Sequence, residues 1–246
     1  MKNKRKFFRN AIILCSGGVD SVTTAYYVKK RLNYKDLIVL FFDYGQKSIK
    51  EEKKCSKVCS RKISAKFVEM KLPELKDISN SLINKQGNIK KVKRKELKDT
   101  KKESLKWYVP YRNAIFLVYA LAMAEALYMK KKNKYDIFVG FKSEGRGGYP
   151  DTSQGFLNSI KNLTKYSEAG NYNVKAPLMN KDKSDLIVLG KKLGINFGDT
   201  FSCYIGKNKH CGYCLACRLR QESFYWANIR DPTKYGRKMK DFRLAK

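Results

Sequence analysis

The stretch that decides the fold reads Leu14-Cys15-Ser16-Gly17-Gly18-Val19-Asp20-Ser21. The apolar residues 11–14 directly before Cys15 predict a buried β-strand, and residues 23–28 predict a helix. In such a strand-to-helix turn the two glycines let the backbone approach an anion, and the first amides of the helix point at it. The stretch therefore predicts a phosphate-binding loop. No Gly-Lys-Ser/Thr follows the glycines, so the loop does not match the Walker pattern.

The residues expected to bind phosphate groups belong to this loop and to the helical turn behind it. They are Cys15, Ser16, Gly17, Gly18, Val19, Asp20, Ser21, Val22 and Thr23. The hydroxyl groups of Ser16, Ser21 and Thr23 add hydrogen-bond donors. Asp20 is the best candidate to hold a Mg²⁺ ion on the phosphates. A bare Ser-Gly-Gly would favour a plain turn, but the full Ser-Gly-Gly-x-Asp-Ser after an apolar strand favours phosphate binding.

Further apolar runs predict an α/β chain built on a parallel sheet. Residues 37–43 are typical of a strand covered on both faces, and residues 66–70 and 136–140 supply two more strands. Helical patterns lie between these runs. The helix after Asn113 carries apolar residues at a spacing of three or four, which predicts its packing face: Ile115, Val118, Tyr119, Ala122 and Ala126. The polar loops after the first, second and fourth strands are expected to meet at one edge of the sheet.

Length and charge limit the class of protein. The chain has 246 residues and is expected to form a single domain over residues 1–246. It carries 54 Lys and Arg against 22 Asp and Glu, a formal net charge of +32. This charge fits nucleic-acid binding and fits a compositional bias of the source equally well. No apolar run approaches the ~18 residues that cross a bilayer, and no cleavage site follows the basic N-terminus. We therefore expect a cytoplasmic protein with no membrane partner.

Residues 78–106 interrupt the alternation of strands and helices. Within them, Lys90-Lys91-Val92-Lys93-Arg94-Lys95 is a block of basic charge with little to bury. We expect a basic, mobile insertion. Long segments of this kind in compact enzymes are either solvated loops or lids that clamp a phosphate-bearing ligand.

Four of the seven cysteines fall close together, with the spacing Cys203-x7-Cys211-x2-Cys214-x2-Cys217. Two-residue gaps let the thiolates converge on one tetrahedral ion, so we expect a structural zinc that braces the C-terminal segment 196–230. An iron–sulfur cluster takes the same ligands and remains an alternative, whereas a disulfide pair suits a small secreted domain. His210 is an alternative ligand that four cysteines make unnecessary.

The phosphate loop resembles that of the adenylate-forming ATP pyrophosphatases, which implies that residues 15–23 bind ATP. The set of motifs, from Ile12 to about Pro232, resembles one family among them, the 7-cyano-7-deazaguanine synthases of the queuosine and archaeosine pathways. Besides the loop and the cysteines, the matching motifs are Phe42-Asp43-Tyr44-Gly45-Gln46, Val109-Pro110-Tyr111-Arg112-Asn113, Gly148-Tyr149-Pro150-Asp151, Ala176-Pro177-Leu178-Met179 and Ser202-Cys203-Tyr204. The resemblance implies an α/β, adenine-nucleotide α-hydrolase-like (PP-loop) fold with a zinc-braced helical segment at the C-terminus.

The resemblance also implies an activity and residue roles. In this family ATP activates 7-carboxy-7-deazaguanine as an acyl-adenylate, ammonia displaces AMP to give an amide, and a second activation dehydrates the amide to a nitrile. The implied catalytic residues are Asp20, Lys181 and Arg112. The implied substrate ligands are Arg112, Asn113, Tyr149 and Asp151, and the zinc ligands are Cys203, Cys211, Cys214 and Cys217. A homodimer is implied, and ammonia is expected from solution or from a separate donor.

The chain departs from the family pattern near the expected substrate pocket. Tyr111 stands where glycine is usual and Ala114 where threonine is usual, and Gly145 and Gly147 replace a frequent aspartate and serine. These departures bear on the identity of the acid substrate more than on the nucleotide chemistry. The main alternative is a tRNA-modifying ATP pyrophosphatase that thiolates or aminates a base. Two further alternatives are a relative that attaches a deazaguanine to a protein and a catalytically silent RNA-binding module.

Overall fold

A computed structural model of the chain describes residues 9–142, 149–205, 208–237 and 242. Gly145, Gly147 and Gly148 lie outside these residues. The strands are β1 (Asn10–Leu14), β2 (Asp36–Asp43), β3 (Lys66–Lys71), β4 (Tyr135–Phe138) and β5 (Val174–Lys175). The α-helices of the described ranges are α1 (Val19–Lys30), α2 (Ile49–Lys62), α3 (Leu75–Ile78), α4 (Lys101–Leu105), α5 (Arg112–Lys131), α6 (Gln154–Leu163), α7 (Lys183–Lys192) and α8 (Leu215–Trp226).

The five strands form one parallel sheet in the order β3-β2-β1-β4-β5. The chain moves outward on one side through β2 and β3, and on the other side through β4 and β5. The winding therefore changes direction between β1 and β4, and open parallel sheets bind their ligands outside the carboxyl ends of strands at such a point. The predicted parallel α/β architecture is confirmed. β5, two residues long, was not predicted.

Alternate residues of β1 enter two separate cores on opposite faces of the sheet. Ile12 packs in the core that contains Leu117 of α5. Ala11 and Ile13 pack in the other core, together with Val22 of α1. Because both faces of the sheet are covered, the central strands are continuous apolar runs rather than alternating ones.

The outer face of α5 is apolar and exposed. The side chains buried against the sheet include Leu117, Ala120 and Ala124. Four of the residues predicted to form the packing face are instead exposed: Val118, Tyr119, Ala122 and Ala126. The prediction chose the wrong face because α5 is apolar nearly all round, so periodicity does not define one stripe. By length and composition alone α5, with 20 residues and an 18-residue window of mean hydropathy 1.2, could cross a bilayer, a test that the core helix of a globular protein also passes.

The segment 78–106 is anchored by a few buried side chains. Ile83 and Val92 are buried in the core that also holds Trp107. The backbone amide of Val92 donates to the carbonyl of Tyr213, with a distance of 3.0 Å. The segment contains α4 and a 3₁₀-helix, Arg94–Lys98, where the sequence predicted no regular structure. The buried side chains of this segment are separated by lysines and show no periodic spacing, so the sequence did not predict its helices. The mobility of this segment remains a prediction.

Candidate active site and metal centre

A cavity of about 340 Å³ opens at the carboxyl ends of β1, β2 and β4. The phosphate loop forms one wall, and the loop that follows β2 forms another with Tyr44 and Gln46. Gly140 and Lys142 line it after β4, and Arg112 lines it from the start of α5. The three polar loops that were predicted to meet at one sheet edge therefore share one cavity.

The phosphate loop presents the start of α1 to this cavity. The first intrahelical bond of α1 runs from the amide of Val22 to the carbonyl of Gly18, at 3.0 Å. The amides of residues 19–21 consequently precede the helical hydrogen-bond ladder, as the first amides of every helix do. The hydroxyl of Ser21 donates to the carbonyl of Gly18 at 3.2 Å and lies 3.3 Å from the hydroxyl of Ser16. Amides and hydroxyls at a helix start suit an anion such as pyrophosphate.

Two glycines allow the loop to lie where it does. Gly17 has φ +81°, and a Cβ there would lie 2.6 Å from the carbonyl oxygen of Glu52 and 2.9 Å from the amide nitrogen of Ser56. Gly140, which follows β4, would place a Cβ 2.9 Å from the backbone of Ser21. Both contacts are shorter than side chains tolerate. Because neither glycine carries a side chain, the loop can pack closely between α2 and the end of β4.

Asp20 faces a lysine from α7. Its Oδ2 atom lies 4.0 Å from Nζ of Lys183, and both residues line the cavity. Lys181, the lysine implied by the resemblance, is exposed and is not among the residues that line the cavity. Its carbonyl accepts a hydrogen bond from Nζ of Lys142. The fold thus brings Lys183 to the phosphate loop, and the catalytic role of Lys181 remains a prediction.

Arg112 is the central cation of the opposite wall. Its guanidinium lies 5.6 Å from the ring centroid of Tyr44 and 5.9 Å from that of Phe116. It donates to the hydroxyl of Tyr44 at 3.4 Å and to Oδ1 of Asn113 at 3.2 Å. Burial raises the pKa of Tyr44 to about 12, so its hydroxyl stays neutral. A guanidinium that packs against two rings and lines a cavity suits a carboxylate or phosphate ligand.

Asn113 and Asp151 are neighbours of Arg112. Nδ2 of Asn113 donates to the backbone carbonyl of Asp151 at 3.3 Å. Burial raises the pKa of the Asp151 carboxyl, and the charge of Arg112 opposes that shift. Oδ1 of Asp151 is buried and has no hydrogen-bond partner among the described residues. Because such an atom costs free energy until a donor reaches it, Asp151 suits an N–H group of a ligand, although it does not line the cavity as described.

Tyr149 joins the cavity to the segment 78–106. Its hydroxyl donates to the carbonyl of Ser104 at 2.9 Å, and its ring stacks on Tyr108 with centroids 5.5 Å apart. Ser104 and Ile83 also line the cavity. The segment therefore supplies part of the cavity wall. Of the predicted site residues, those outside the cavity lining are Gly17, Val22, Thr23, Asp151 and Lys181.

The four cysteines near the C-terminus converge. Their sulfur atoms all lie within 4.8 Å of one another, and those of Cys211 and Cys217 are 3.8 Å apart. Zinc–sulfur bonds of about 2.3 Å in a tetrahedron separate the sulfurs by about 3.8 Å. The amides of Cys211 and Cys214 donate to sulfur atoms of the cluster, as thiolates require. The donor set and its spacing fit a closed four-thiolate metal site, and none of the seven cysteines is in a disulfide.

The cluster is fastened to the phosphate loop. The amide of Phe201 donates to the carbonyl of Gly17 at 2.9 Å. Arg220 of α8 lines the cavity and donates to the hydroxyl of Thr200 at 2.8 Å. His210 lies beside the cluster, but its Nε2 accepts the amide of Ser202 at 3.0 Å, and burial lowers its pKa to about 4. This histidine braces the turn and does not belong to the metal cluster found in the described residues.

Comparisons with known proteins agree with this geometry. The family model described as "Queuosine biosynthesis protein QueC" matches residues 10–228. The 7-cyano-7-deazaguanine synthase of Methanosphaera stadtmanae is 36% identical, over 92% of this chain and 97% of its own. That of Methanobrevibacter smithii is 32% identical, over 92% and 98%.

The chain belongs to the QueC family. Among solved structures, a 4-thiouridine synthetase–RNA complex with bound ATP aligns at a TM-score of 0.47, with 19% identity, over 76% of this chain and 41% of its own.

Sequence reasoning missed several cavity residues of this family member, among them Lys183, Glu52 and Gly140. Lys183 stands two positions after Lys181, and only the turn before α7 shows which of the two faces the loop. Glu52 belongs to a polar, lysine-rich helix, and the sequence does not show which acidic residue of that helix lines a cavity. Gly140 was signalled only by its place at the end of a predicted strand, where a glycine often marks a close backbone approach.

Proposed function

We propose that this chain is a 7-cyano-7-deazaguanine synthase, which converts 7-carboxy-7-deazaguanine and ammonia to 7-cyano-7-deazaguanine with ATP as the activating co-substrate. The observation that carries the proposal is that one cavity joins the phosphate loop to the guanidinium of Arg112. One end suits the phosphates of ATP and the other a carboxylate acid. Family membership supports the same assignment.

The cavity suits activation of a carboxylate by adenylation. Carboxylates are poor electrophiles, so the acid must first attack the α-phosphate of ATP and release pyrophosphate. The amides of residues 19–21 hold the leaving pyrophosphate, Lys183 balances its charge, and Arg112 orients the carboxylate. A Mg²⁺ ion on Asp20 would supply further neutralisation of the phosphates. The protein's contribution is positioning and charge stabilisation.

The nitrogen steps use the same surfaces. Ammonia attacks the carbonyl of the acyl-adenylate, and AMP leaves to give the amide. The amide oxygen is then activated by a second ATP, and loss of AMP with two protons gives the nitrile. Asn113, Tyr149 and Asp151 hold the deazapurine, with the unpartnered Oδ1 of Asp151 as the acceptor for one of its N–H groups.

The metal that we assign to Cys203, Cys211, Cys214 and Cys217 is a structural Zn²⁺. A closed shell of thiolates has no position for a water or a substrate. The cytoplasm, as a reducing compartment, keeps thiols available to a metal. Purified protein with one zinc per chain and no visible absorption band supports zinc, whereas a broad visible band with bound iron would indicate the iron–sulfur alternative.

The test of the proposed activity uses RNA-free protein with ATP, ammonium and 7-carboxy-7-deazaguanine, followed by mass spectrometry. We expect the nitrile, together with AMP and pyrophosphate. Turnover of ATP only after tRNA is added would favour the tRNA-modifying alternative and contradict the proposal. Ammonia from solution suffices in this assay, so a separate ammonia donor is an aid and not a requirement.

A second copy of the chain is the partner that we propose for the outer face of α5. Tyr111, Val118 and Met129 are 73%, 46% and 62% exposed along one helix. Residues 113–129 contain no Lys or Arg in a chain of +32 net charge, so a like-charged copy meets the least repulsion there. Sedimentation should show a dimer that V118E weakens and that L163E, a change on exposed α6, leaves intact. A wild-type monomer at all concentrations would refute it.

A further inference from the structure

Glu52 lines the cavity, but the proposed reaction does not yet use its carboxylate. Among the described residues, Asp20 and Glu52 are the acids that line the cavity. The cations that line the cavity among these residues are Arg112, Lys142, Lys183 and Arg220. Asp20 lies 4.0 Å from Lys183 at the phosphate end. Glu52 is therefore the acid of the cavity lining to which the proposed function assigns no role.

Glu52 is held in place by neighbours from the loop that follows β2. Its Oε1 accepts the hydroxyl of Ser48, and its Oε2 accepts Nε2 of Gln46 at 3.1 Å. Nε2 of Gln46 also donates to the carbonyl of Phe42, so the amide is fixed. A carboxylate has about four acceptor positions. Two positions therefore remain after these bonds, on a side chain that borders the cavity.

The reaction needs a place for one more reactant. Resting on the proposed function, the chain must bring ammonium from water into a cavity of a protein that carries +32 charge. Cations are repelled by such a field, and ammonium is a poor nucleophile until it loses a proton. A site for it should therefore offer a fixed negative group, acceptor positions and a way to take up a proton.

We propose that Glu52 binds the ammonium ion and accepts its proton before ammonia attacks the acyl-adenylate. The proton passes to the carboxylate, and the nitrogen lone pair forms the new C–N bond. The bond between the carbonyl carbon and the adenylate oxygen breaks, and AMP leaves with that electron pair. The second proton lost from the nitrogen passes to the phosphate of AMP, so the amide leaves the step uncharged.

The surroundings of Glu52 suit this role. Burial raises the pKa of its carboxyl, against the hydrogen bonds from Ser48 and Gln46 and the charge of Arg112, which lower it. The hydroxyl of Tyr44 and the sulfur of Cys203, a proposed metal ligand, are the other groups that act on it. Arg112 is also the group to which we assign the substrate carboxylate, so an ammonium at Glu52 would lie beside the carbon to be attacked.

The donor edge of the deazaguanine is the rival occupant of Glu52. Asp151, whose charge also acts on Arg112, has the unpartnered Oδ1 that this edge requires. If Asp151 accepts the base, Glu52 is left for the ammonium. The two assignments predict different kinetics. If Glu52 binds ammonium, loss of its charge raises the KM for ammonium, whereas if it binds the base, the same loss raises the KM for the acid.

The experiment compares E52Q with E51Q, which removes the same charge from the adjacent residue of α2 outside the cavity lining. For E52Q we expect the KM for ammonium to rise about 10- to 100-fold, the effect of losing a charge-assisted hydrogen bond, while the KM values for ATP and the acid stay unchanged. At alkaline pH, where free ammonia replaces ammonium, the defect should shrink. E51Q should match the wild type throughout.

Each other outcome overturns the proposal. A raised KM for the acid alone would assign Glu52 to the base, and a raised KM for ATP alone would assign it to the phosphate loop. An unchanged KM for ammonium, or a defect that persists at alkaline pH, refutes it directly. If E52Q melts at a lower temperature, E52D keeps the charge with a shorter reach and must show a KM for ammonium between those of E52Q and the wild type. Failure of the wild type to form the nitrile would refute the proposed function itself.

Discussion

The phosphate loop and the cysteine cluster lie side by side and use their polar groups in opposite directions. The loop presents amides and hydroxyls to a cavity, where we propose that the phosphates of ATP bind. The cluster directs four sulfurs at one another, all within 4.8 Å, and its backbone amides donate to those sulfurs. Phe201 joins the two through its bond to the carbonyl of Gly17. We therefore assign the phosphate loop to the reaction and the cysteine cluster to support of the loop.

This difference predicts how each region responds to substitution. Damage to the inward-facing cluster should reduce stability first and activity as a consequence. Damage to the outward-facing loop should reduce activity while the fold persists. Gly17 belongs to both cases, because it forms the loop and also contacts α2.

The largest effect is expected for C214S, which removes one thiolate from the cluster. Loss of a structural metal is among the few changes that destabilise by more than about 4 kcal/mol. We expect the variant to lose its metal, to melt at a much lower temperature and to lose activity. C55S, a cysteine outside the cluster, is the control for metal content. A C214S protein with a full metal complement and normal melting would contradict the structural role.

A second large effect is expected for G17A. The left-handed backbone costs about 1–2 kcal/mol with a side chain, and crowding against α2 adds about 1–3 kcal/mol. We expect lower stability in urea unfolding together with a weaker affinity for ATP. G155A places a methyl group in the open first turn of α6 and should leave both quantities nearly unchanged. Equal behaviour of the two variants would mean that Gly17 does not hold the loop.

D20N should separate activity from stability. Removal of the carboxylate takes away the candidate ligand for Mg²⁺, and we expect kcat/KM to fall by about 10²- to 10³-fold, as for other charge-stabilising groups. The melting temperature should stay close to that of the wild type. E168Q, a charge change at an exposed site, is the control. Normal turnover of D20N at limiting Mg²⁺ would remove Asp20 from the mechanism.

The smallest of the four effects distinguishes two lysines. Lys183 borders the phosphate loop, whereas Lys181 is exposed. We expect K183M to lower kcat/KM by about 10-fold or more, consistent with loss of one charge-assisted contact of about 1.5–3 kcal/mol. K181M should stay within twofold of the wild type. The reverse order would restore Lys181 as the catalytic lysine that the family resemblance suggests.

Sequence reasoning succeeded where a structural feature depends on residues that are close together in the sequence. The phosphate loop needs a strand, two glycines and a helix start in direct succession, and the cysteine cluster needs fixed short gaps. Both patterns are local, and both regions fold as expected. The first four strands were also recognisable, because burial on both faces leaves continuous apolar runs.

The remainder depends on which faces the fold brings together. α5 is apolar nearly all round, so its sequence does not show that Val118 and Tyr119 face outward while Leu117 faces the sheet. Glu52 and Lys183 resemble many other charged residues of a lysine-rich chain until the loop after β2 and the turn before α7 place them at the cavity. β5 is too short to leave a pattern, with two residues paired to β4.

The central claim is that the loop after β1 supports attack of a substrate carboxylate on the α-phosphate of ATP. It is tested most directly by labelling the carboxylate of 7-carboxy-7-deazaguanine with heavy oxygen and following the label by mass spectrometry. We predict one labelled oxygen in each of the two AMP molecules formed per nitrile, and none in inorganic phosphate or pyrophosphate. Label in inorganic phosphate, with ADP as the nucleotide product, would contradict the account, because the carboxylate would then have attacked the γ-phosphate.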